Sequence, residues 1–307
     1  MITDIRDYFF DELYENATHD KDLIFITSDM GAFSLEKFKK ELPDQFINVG
    51  ISEQNAINVA AGLALSGKKP FVYSIIPFVT LRCCEQIKIN MGCMNLPIKI
   101  IGVGPGLAYD CDGATHHAIE DIAIMSVFPN IYIYNPSDFL SSKNLAQLCC
   151  HNESPTYVRI DKGNYPIIHK EDHNFDDGMS VLKDVPDSDV LIIVTGTIAH
   201  NVLEIYETLL KKNIKAKILD IYRIKPINNK LLMRIATGAK RIITVEEHFV
   251  CGGLGDCVAR SLGNNIIHKI GMHNNYINLS GSRSWIKEQY GLDNKNIIKK
   301  IENCLKG

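Results

Sequence analysis

Short apolar segments alternate with longer amphipathic segments along the first half of the chain. The apolar segments have the length of buried strands and lie at residues 23–27, 46–49, 70–73, 98–103, 131–134 and 156–160. The segments between them predict helices, at residues 5–18, 53–66, 78–92, 119–128 and 138–150. Continuous apolar strands separated by helices are typical of a parallel sheet that helices cover on both faces.

This alternation is interrupted at residues 164–187, which are rich in His, Asp, Pro and Gly and lack helical spacing. Such a segment is typical of a connection between domains. Beyond it the alternation resumes, with strands at 190–194, 216–220 and 241–245 and helices at 199–211, 230–237, 286–290 and 294–305. The pattern therefore predicts two doubly wound α/β domains with mostly parallel sheets, at residues 1–165 and 188–307, joined by a linker at 166–187.

Composition narrows the class of protein. The 307 residues, 46% of them hydrophobic, suffice for two cores, and a net charge of −3 leaves no basic excess for nucleic acid. No apolar run reaches the roughly 18 residues that cross a bilayer, and the N-terminus lacks the layout of a signal peptide. The nine cysteines form no C-x-x-C pair, which predicts reduced thiols in a cytoplasmic protein.

Polar residues follow the strands mainly in the first domain. They lie at residues 28–29, 53, 74–78, 104–117 and 159–162. Ligands of open α/β sheets bind at the carboxyl ends of the strands. The sequence therefore predicts a binding site at this edge of the first sheet.

The segment Gly50–Asn55 places one carboxylate, Glu53, between a short strand and a helix of small residues. One interpretation is an acid favoured by the positive end of the helix dipole. The other is a buried carboxylate, which is costly unless it is bonded and which could hold a proton on a heterocycle nitrogen.

The segment from Gly102 to His117 follows the most β-branched strand and carries several glycines, two aspartates and two adjacent histidines. Histidine suits proton transfer or bonding to a substrate hydroxyl, although a polar surface loop gives the same composition. Adjacent histidines point in different directions and no third ligand has suitable spacing, so the pattern argues against a metal site.

Two further segments have alternative interpretations. Arg159, at the end of a strand, could bind a phosphate or carboxylate, or pair with Asp161 or a neighbouring acid. The run Gly252–Gly255 lacks the spacing of a nucleotide-binding loop and predicts a tight turn from strand to helix.

Two motifs together resemble one family. Gly50–Asn55 resembles the segment that bears the catalytic glutamate of transketolases and 1-deoxyxylulose-5-phosphate synthases, and Asp112–His116 resembles their Asp-Gly-x-Thr-His motif. Order and separation also match. The resemblance spans the whole chain but only the C-terminal half to two-thirds of a full transketolase, which implies a pyrimidine-binding domain followed by a transketolase C-terminal domain.

The family's Gly-Asp-Gly motif, which holds a divalent metal and the cofactor diphosphate, is missing from this sequence. The resemblance therefore implies the C-terminal subunit of a split transketolase, which shares thiamin diphosphate with a second chain, most simply as an α2β2 assembly. Mg²⁺ or Ca²⁺ would be bound by that N-terminal partner subunit, so no metal ligand is expected in this chain.

The resemblance also implies residue roles toward the cofactor. Glu53 would bond N1′ of the aminopyrimidine and set its tautomer, while the cofactor performs the carbanion chemistry. Phe78 would stack on the pyrimidine ring. Asp29 matches a family aspartate near the cofactor.

Toward the substrate, Asp112 and His116 would contact hydroxyls of a sugar or sugar-phosphate donor. His116 would lie beside the reacting carbons and is thus a second catalytic candidate. Arg159 matches a family arginine that binds substrate phosphate, and Arg6 matches another.

Some positions depart from the family. Gly104 stands where transketolases carry a phosphate-binding histidine, and a family serine is replaced by Phe33 or shifted to Ser34. One of two family aromatics is aliphatic here, at Ile75 or Ile76. These changes predict a reduced phosphate site and an atypical donor or acceptor, such as a modified or nucleotide-linked sugar.

Other functions stay open at this point. The closest are a 1-deoxyxylulose-5-phosphate-synthase-like or a 2-oxo acid dehydrogenase β-like subunit, although the Asp-Gly-x-Thr-His motif favours ketol transfer. A non-catalytic assembly subunit is disfavoured because Glu53, Asp112 and His116 occur together. A nicotinamide-linked enzyme is disfavoured because the dinucleotide fingerprint is missing.

Overall fold

The computed structural model describes residues 4–263, 265–273, 275–276, 278 and 280–306. The first part of the chain forms α1 (Ile5–His19), β1 (Leu23–Thr27), α2 (Leu35–Glu41), β2 (Phe46–Asn48), α3 (Glu53–Leu65), β3 (Lys69–Ile75), α4 (Ile76–Val79), α5 (Cys84–Ile87), β4 (Lys99–Val103), α6 (Asp121–Ser126), β5 (Tyr132–Tyr134), α7 (Phe139–His151) and β6 (Thr156–Ile160). The second part forms β7 (Ser180–Lys183), β8 (Val190–Val194), α8 (Ile198–Lys211), β9 (Ala216–Asp220), β10 (Arg223–Lys225), α9 (Asn229–Ala236), β11 (Arg241–Phe249), α10 (Leu254–Leu262), β12 (Ile267–Met272), α11 (Arg283–Gln289) and α12 (Asn294–Lys306).

Two mostly parallel sheets organise these elements. The first has the strand order β10-β5-β6-β4-β3-β1-β2 and the second β12-β11-β8-β9-β7. Among the strands of the described residues, two edge pairs, β10 with β5 and β7 with β9, are antiparallel. Strands β1, β4, β6 and β8 are buried along their whole length, since helices pack on both faces of each sheet. The predicted fold class, two mostly parallel α/β domains, is confirmed.

The predicted helix at 78–92 is not continuous. Helix α4 ends at Val79, α5 begins at Cys84, and a π-helical turn follows at Lys88–Cys93. The Thr80 hydroxyl donates to the carbonyl of Ile76, a bond that bends helices. The break places Arg82 in a turn beside the end of β3.

The segment predicted as a linker contributes a strand to the second domain, because β7 pairs with β9 along the sheet edge. Strand β10 in turn leaves the second domain and pairs with β5 of the first sheet. Local hydrophobic spacing could not predict either pairing, since both depend on long-range register. The two domains are therefore joined by main-chain hydrogen bonds as well as by covalent connection.

A buried histidine bridges the two domains from the predicted linker. His169 Nδ1 lies 3.0 Å from Asp138 Oδ1, and His169 Nε2 lies 3.3 Å from Asp220 Oδ2. Asp138 caps α7, and Asp220 ends β9. Burial opposes protonation of the imidazole, but the two carboxylates outweigh it and raise the pKa of His169 to about 9.

We expect the protein to lose stability at alkaline pH, because His169 loses its proton there. A raised pKa in the folded state stabilises the protein fully below pH 6.5, and this contribution is lost as pH rises toward about 9. The free energy of unfolding is expected to fall by on the order of 3 kcal/mol across this window. Urea unfolding at pH 6.5, 8 and 9 measures the loss. His169→Gln should flatten the profile, and an unchanged slope in that variant would contradict the assignment.

Two other sequence expectations concern the helices and the thiols. No helix within the described ranges has both the length and the apolar character needed to cross a membrane. The nine cysteines are free thiols, and Cys83, Cys149 and Cys150 are buried, in agreement with their apolar surroundings.

Candidate functional site

The five polar segments meet at one edge of the first sheet. They follow or end β1, β2, β3, β4 and β6, which are neighbours in the order β6-β4-β3-β1-β2 and run parallel. Parallel strands present their carboxyl ends at the same edge. The sheet therefore gathers residues from distant parts of the chain into one site.

Glu53 is the first residue of α3, and only 3% of its side chain is exposed. The Ser74 hydroxyl, near the end of β3, donates to Glu53 Oε1 at 3.2 Å. The Arg82 guanidinium donates to Oε2 at 2.7 Å. An acid that served only the helix dipole would face solvent, whereas this carboxylate is buried and bonded across the site.

Phe78 connects the glutamate to the histidine motif. The Arg82 Cζ lies 4.4 Å from the centroid of the Phe78 ring. The His116 imidazole packs edge-on against the same ring, with centroids 5.0 Å apart and planes at 71°. The structure thus brings together three of the predicted residues: Glu53, Phe78 and His116.

Asp112 and His116 share a turn after β4. The backbone N–H of Asp112 donates to Tyr109 O at 3.3 Å, and Asp112 itself is exposed. His116 Nδ1 lies 3.0 Å from the Thr115 hydroxyl. Asp112 is exposed and His116 is half-buried, so a substrate hydroxyl could reach both side chains.

The second domain holds this turn in place. The backbone N–H of Arg283, at the start of α11, donates to Asp110 Oδ2 at 2.9 Å, and the Ser280 hydroxyl donates to Cys111 O at 2.7 Å. The Arg283 guanidinium in turn donates to Asp161 and Glu247, each at 2.8 Å. The position of the histidine motif therefore depends on contacts between the two domains.

Tyr109 covers Gly104, the position at which the family carries a histidine. A Cβ atom built on Gly104 would lie 2.2 Å from Cε2 of the tyrosine, and Gly104 has a φ of +87°. Lys162 Nζ lies 3.8 Å from the centroid of the same ring, which also approaches His116 at 5.9 Å between centroids. The position at which the family carries a histidine is thus covered by an aromatic ring, and a lysine ammonium lies on that ring.

Arg6 and Asp29 lie at the periphery. Arg6 Nη1 donates to the Tyr73 hydroxyl at 3.1 Å, and Nη2 pairs with Asp4 at 3.2 Å. Asp29 is exposed and accepts from Asn48 Nδ2 at 3.0 Å, while Asn48 Oδ1 accepts from the backbone N–H of Gly50. Asp29 therefore supports the turn that precedes Glu53.

Arg159 is buried and bonded to neighbouring groups of the protein, which argues against its predicted role in phosphate binding. Its side chain is 3% exposed, and its Nε donates to Asp121 Oδ2 at 2.8 Å. Its Nη2 donates to the carbonyls of Ala118 and Glu247 at 2.9 and 3.1 Å. The alternative interpretation, a pair with a neighbouring acid, holds, and the acid is Asp121.

The glycine run at residues 252–255 forms the predicted turn into α10. Glu246 accepts hydrogen bonds from the backbone N–H groups of Leu254 and Gly255, at 2.6 and 2.9 Å. Burial raises the pKa of this carboxyl to about 7. The Glu246 carboxylate therefore occupies the N-terminus of α10, where a nucleotide phosphate would otherwise bind.

The sequence did not predict a role for three residues of the site: Arg82, Tyr109 and Lys162. Arg82 lies four residues after Phe78, but α4 ends at Val79, so a turn rather than helical spacing brings the two side chains together. Lys162 is the first cation after the end of β6, whereas Arg159 lies inside the strand. Counting from the strand end would have favoured Lys162.

Comparison with known proteins agrees with the resemblance. Residues 3–167 match the transketolase pyrimidine binding domain, and residues 180–297 match the transketolase C-terminal domain. The chain is 37% identical over 298 residues to one subunit of an apulose-4-phosphate transketolase from Phocaeicola vulgatus, covering 96% of this chain and 95% of that one. It is 31% identical to one subunit of a 6-deoxy-6-sulfo-D-fructose transketolase from a Clostridium species, covering 96% and 92%.

Solved structures extend the comparison. A split-gene transketolase, described as an inactive β4 tetramer, superposes with a TM-score of 0.87 at 30% identity over 100% of this chain and 99% of that one. A transketolase from Pichia stipitis gives a TM-score of 0.84 at 16% identity, with 99% of this chain covering 46% of that one, and so shares the fold. The chain therefore belongs to the transketolase family, and it matches the pyrimidine-binding and C-terminal domains of that family.

Proposed function

We propose that this chain forms, with a second polypeptide, a thiamin diphosphate-dependent transketolase that transfers a two-carbon ketol unit between sugar or sugar-phosphate substrates. The observation that carries the proposal is the buried carboxylate of Glu53 beside the Phe78 ring, with His116 packed against that ring. A buried carboxylate, an aromatic ring and an imidazole thus lie together at one edge of the sheet.

The residues present fit the pyrimidine half of the cofactor. Glu53 would accept a hydrogen bond from N1′, and Phe78 would present its face to the ring. Thiamin diphosphate, when bound, supplies the carbanion chemistry. By accepting this bond Glu53 would keep the proton on N1′ and so set the tautomer, while the buried Ser74 hydroxyl orients Glu53 Oε1.

A second chain would supply the diphosphate half. Among the described residues, no group of three or more His, Cys, Asp or Glu is arranged to hold a metal ion. The β4 tetramer of the split-gene relative is described as inactive, which supports a need for the N-terminal subunit. That subunit would bind Mg²⁺ or Ca²⁺ in a cytoplasmic α2β2 assembly.

The substrate is proposed to be an unusual anionic sugar. The names of two relatives specify apulose 4-phosphate and a sulfonated deoxyfructose, which carry a phosphate and a sulfonate. In this chain Lys162 supplies a cation over the Tyr109 ring, in the segment that also bears Asp112 and His116, and Tyr109 covers Gly104. Arg6, bonded to the Tyr73 hydroxyl, is a second candidate cation. His116 and Asp112 would bind the donor hydroxyls beside the reacting carbons.

The proposal is tested by reconstitution. The chain is co-expressed with the neighbouring chain that carries a Gly-Asp-Gly motif, and the complex is assayed for thiamin diphosphate binding and ketol transfer. We expect transfer with an atypical sugar and weak use of ordinary pentose phosphates. Full activity on pentose phosphates would overturn the proposed substrate class. Decarboxylation of a 2-oxo acid without ketol transfer would overturn the reaction.

His116→Ala tests the placement of the donor. Loss of a hydrogen bond to a substrate hydroxyl should raise the donor KM by about tenfold. Cofactor affinity should stay within about twofold, because Glu53 and Phe78, the proposed contacts of the pyrimidine, are unchanged in this variant. Steady-state kinetics and cofactor titration measure the two effects, and His151→Ala, at the exposed end of α7, is the control. A large loss of thiamin diphosphate affinity would contradict the placement.

A further inference from the structure

Arg82 contacts the two groups that are proposed to bind the cofactor pyrimidine, the Glu53 carboxylate and the Phe78 ring. Its guanidinium donates to Glu53 Oε2 at 2.7 Å, and its Cζ lies 4.4 Å above the Phe78 ring. Glu53 Oε1 is bonded to the buried Ser74 hydroxyl, so Oε2 is the oxygen that a second donor can reach.

The guanidinium also resembles the aminopyrimidine in its chemistry. Both are flat and delocalised, both present N–H donors in one plane, and both stack on aromatic faces. A buried carboxylate needs a partner, and Arg82 is the cation paired with Glu53 in the described part of the chain. A pyrimidine protonated at N1′ would supply an equivalent donor and charge.

The two members of this ion pair differ in their exposure to solvent. The Glu53 side chain is 3% exposed, whereas that of Arg82 is 44% exposed. The Arg82 backbone is anchored, since its carbonyl accepts from Gln54 Nε2 at 3.1 Å, so only the side chain has to move. Arg82 can therefore leave the carboxylate for solvent while Glu53 stays in position.

We propose that Arg82 is a placeholder for the aminopyrimidine: it pairs with Glu53 and covers Phe78 until cofactor binding displaces it. This inference rests on the proposed function. The displacement exchanges one planar donor for another at the same carboxylate oxygen. The buried charge of Glu53 is thereby neutralised both before and after binding, at the cost of weaker cofactor affinity.

The placeholder role is tested by two measurements on Arg82→Met in the complex with the partner chain. Removing the competing ion pair should tighten thiamin diphosphate binding by about fivefold in the presence of Mg²⁺. This is the change in affinity that corresponds to the free energy of one half-exposed ion pair. It should also lower the unfolding temperature without cofactor but not at saturating cofactor. The two effects belong to one thermodynamic cycle and must agree in size.

Controls separate this role from a purely structural one. Arg82→Gln keeps a hydrogen-bond donor but removes the charge, and it should also tighten thiamin diphosphate binding. This second variant keeps the test valid if Arg82→Met fails to fold. Lys88→Met removes an exposed cation six residues away and should change neither quantity. Unchanged or weaker cofactor affinity in both Arg82 variants, or equal destabilisation with and without cofactor, would overturn the placeholder. Failure of the wild-type complex to bind cofactor would overturn the proposed function as well.

Discussion

Glu53→Gln is expected to abolish most ketol transfer while leaving the fold and the assembly intact. Glutamine has the same shape, and its amide can still bond to Ser74 and Arg82. It cannot hold a proton between itself and a heterocycle nitrogen in the way that a carboxylate does. Loss of a group that positions a proton typically reduces turnover by 10²–10⁴-fold, so we expect a loss of about 100-fold or more.

The measurement is kcat of the complex with its partner chain, together with the dissociation constant of thiamin diphosphate. Glu36→Gln is a matched control, because Glu36 also lies in the first turn of a helix, α2, but is exposed. That control should behave like the wild type. Turnover of Glu53→Gln within about threefold of wild type would show that Glu53 has no part in the chemistry.

Asp121→Ala is expected to destabilise the protein by about 3–5 kcal/mol, the largest loss we predict for a single side chain. Asp121 is fully buried and accepts from Arg159 Nε at 2.8 Å and from the Tyr157 hydroxyl at 2.7 Å. Removing it leaves the guanidinium buried without a counter-charge. Because Arg159 also bonds to the carbonyl of Glu247, the loss should weaken the contact between the two domains.

Urea unfolding of Asp121→Ala and Asp22→Ala measures the contrast. Asp22 pairs with Lys68 at 2.8 Å, but both side chains are exposed, so its loss should cost less than about 1 kcal/mol. Asp121→Asn keeps an acceptor for Tyr157 and should fall between the two. A loss in Asp121→Ala as small as that in Asp22→Ala would mean that the buried pair contributes little.

The contrast between Arg159 and Lys162 shows where sequence reasoning reaches its limit. Both are cations near the carboxyl end of β6. Arg159 lies within the strand and is covered by α6 and by the second domain, through Asp121 and Glu247. Lys162 lies beyond the strand and stacks on Tyr109. The packing of a distant domain decides which of the two cations lies near the open edge of the first sheet.

Arg82 shows the same limit. The hydrophobic spacing predicts a continuous helix around Arg82, whereas the structure places Arg82 in the turn between α4 and α5. Its contacts with Glu53 and Phe78 depend on the distance between β3 and α3, which adjacent residues do not encode. No local motif distinguishes an arginine that meets a buried carboxylate from one that faces water.

The sequence by itself determined the alternation of strands and helices, the two α/β domains and the placement of Glu53, Phe78 and His116 at strand ends. These features follow from local hydrophobic spacing and from short motifs, and parallel strands bring their carboxyl ends to one edge. Only the tertiary structure decided that Arg159 is buried and that Arg82 pairs with Glu53. Burial and pairing depend on which distant surfaces meet, and long-range packing rather than neighbouring residues determines that.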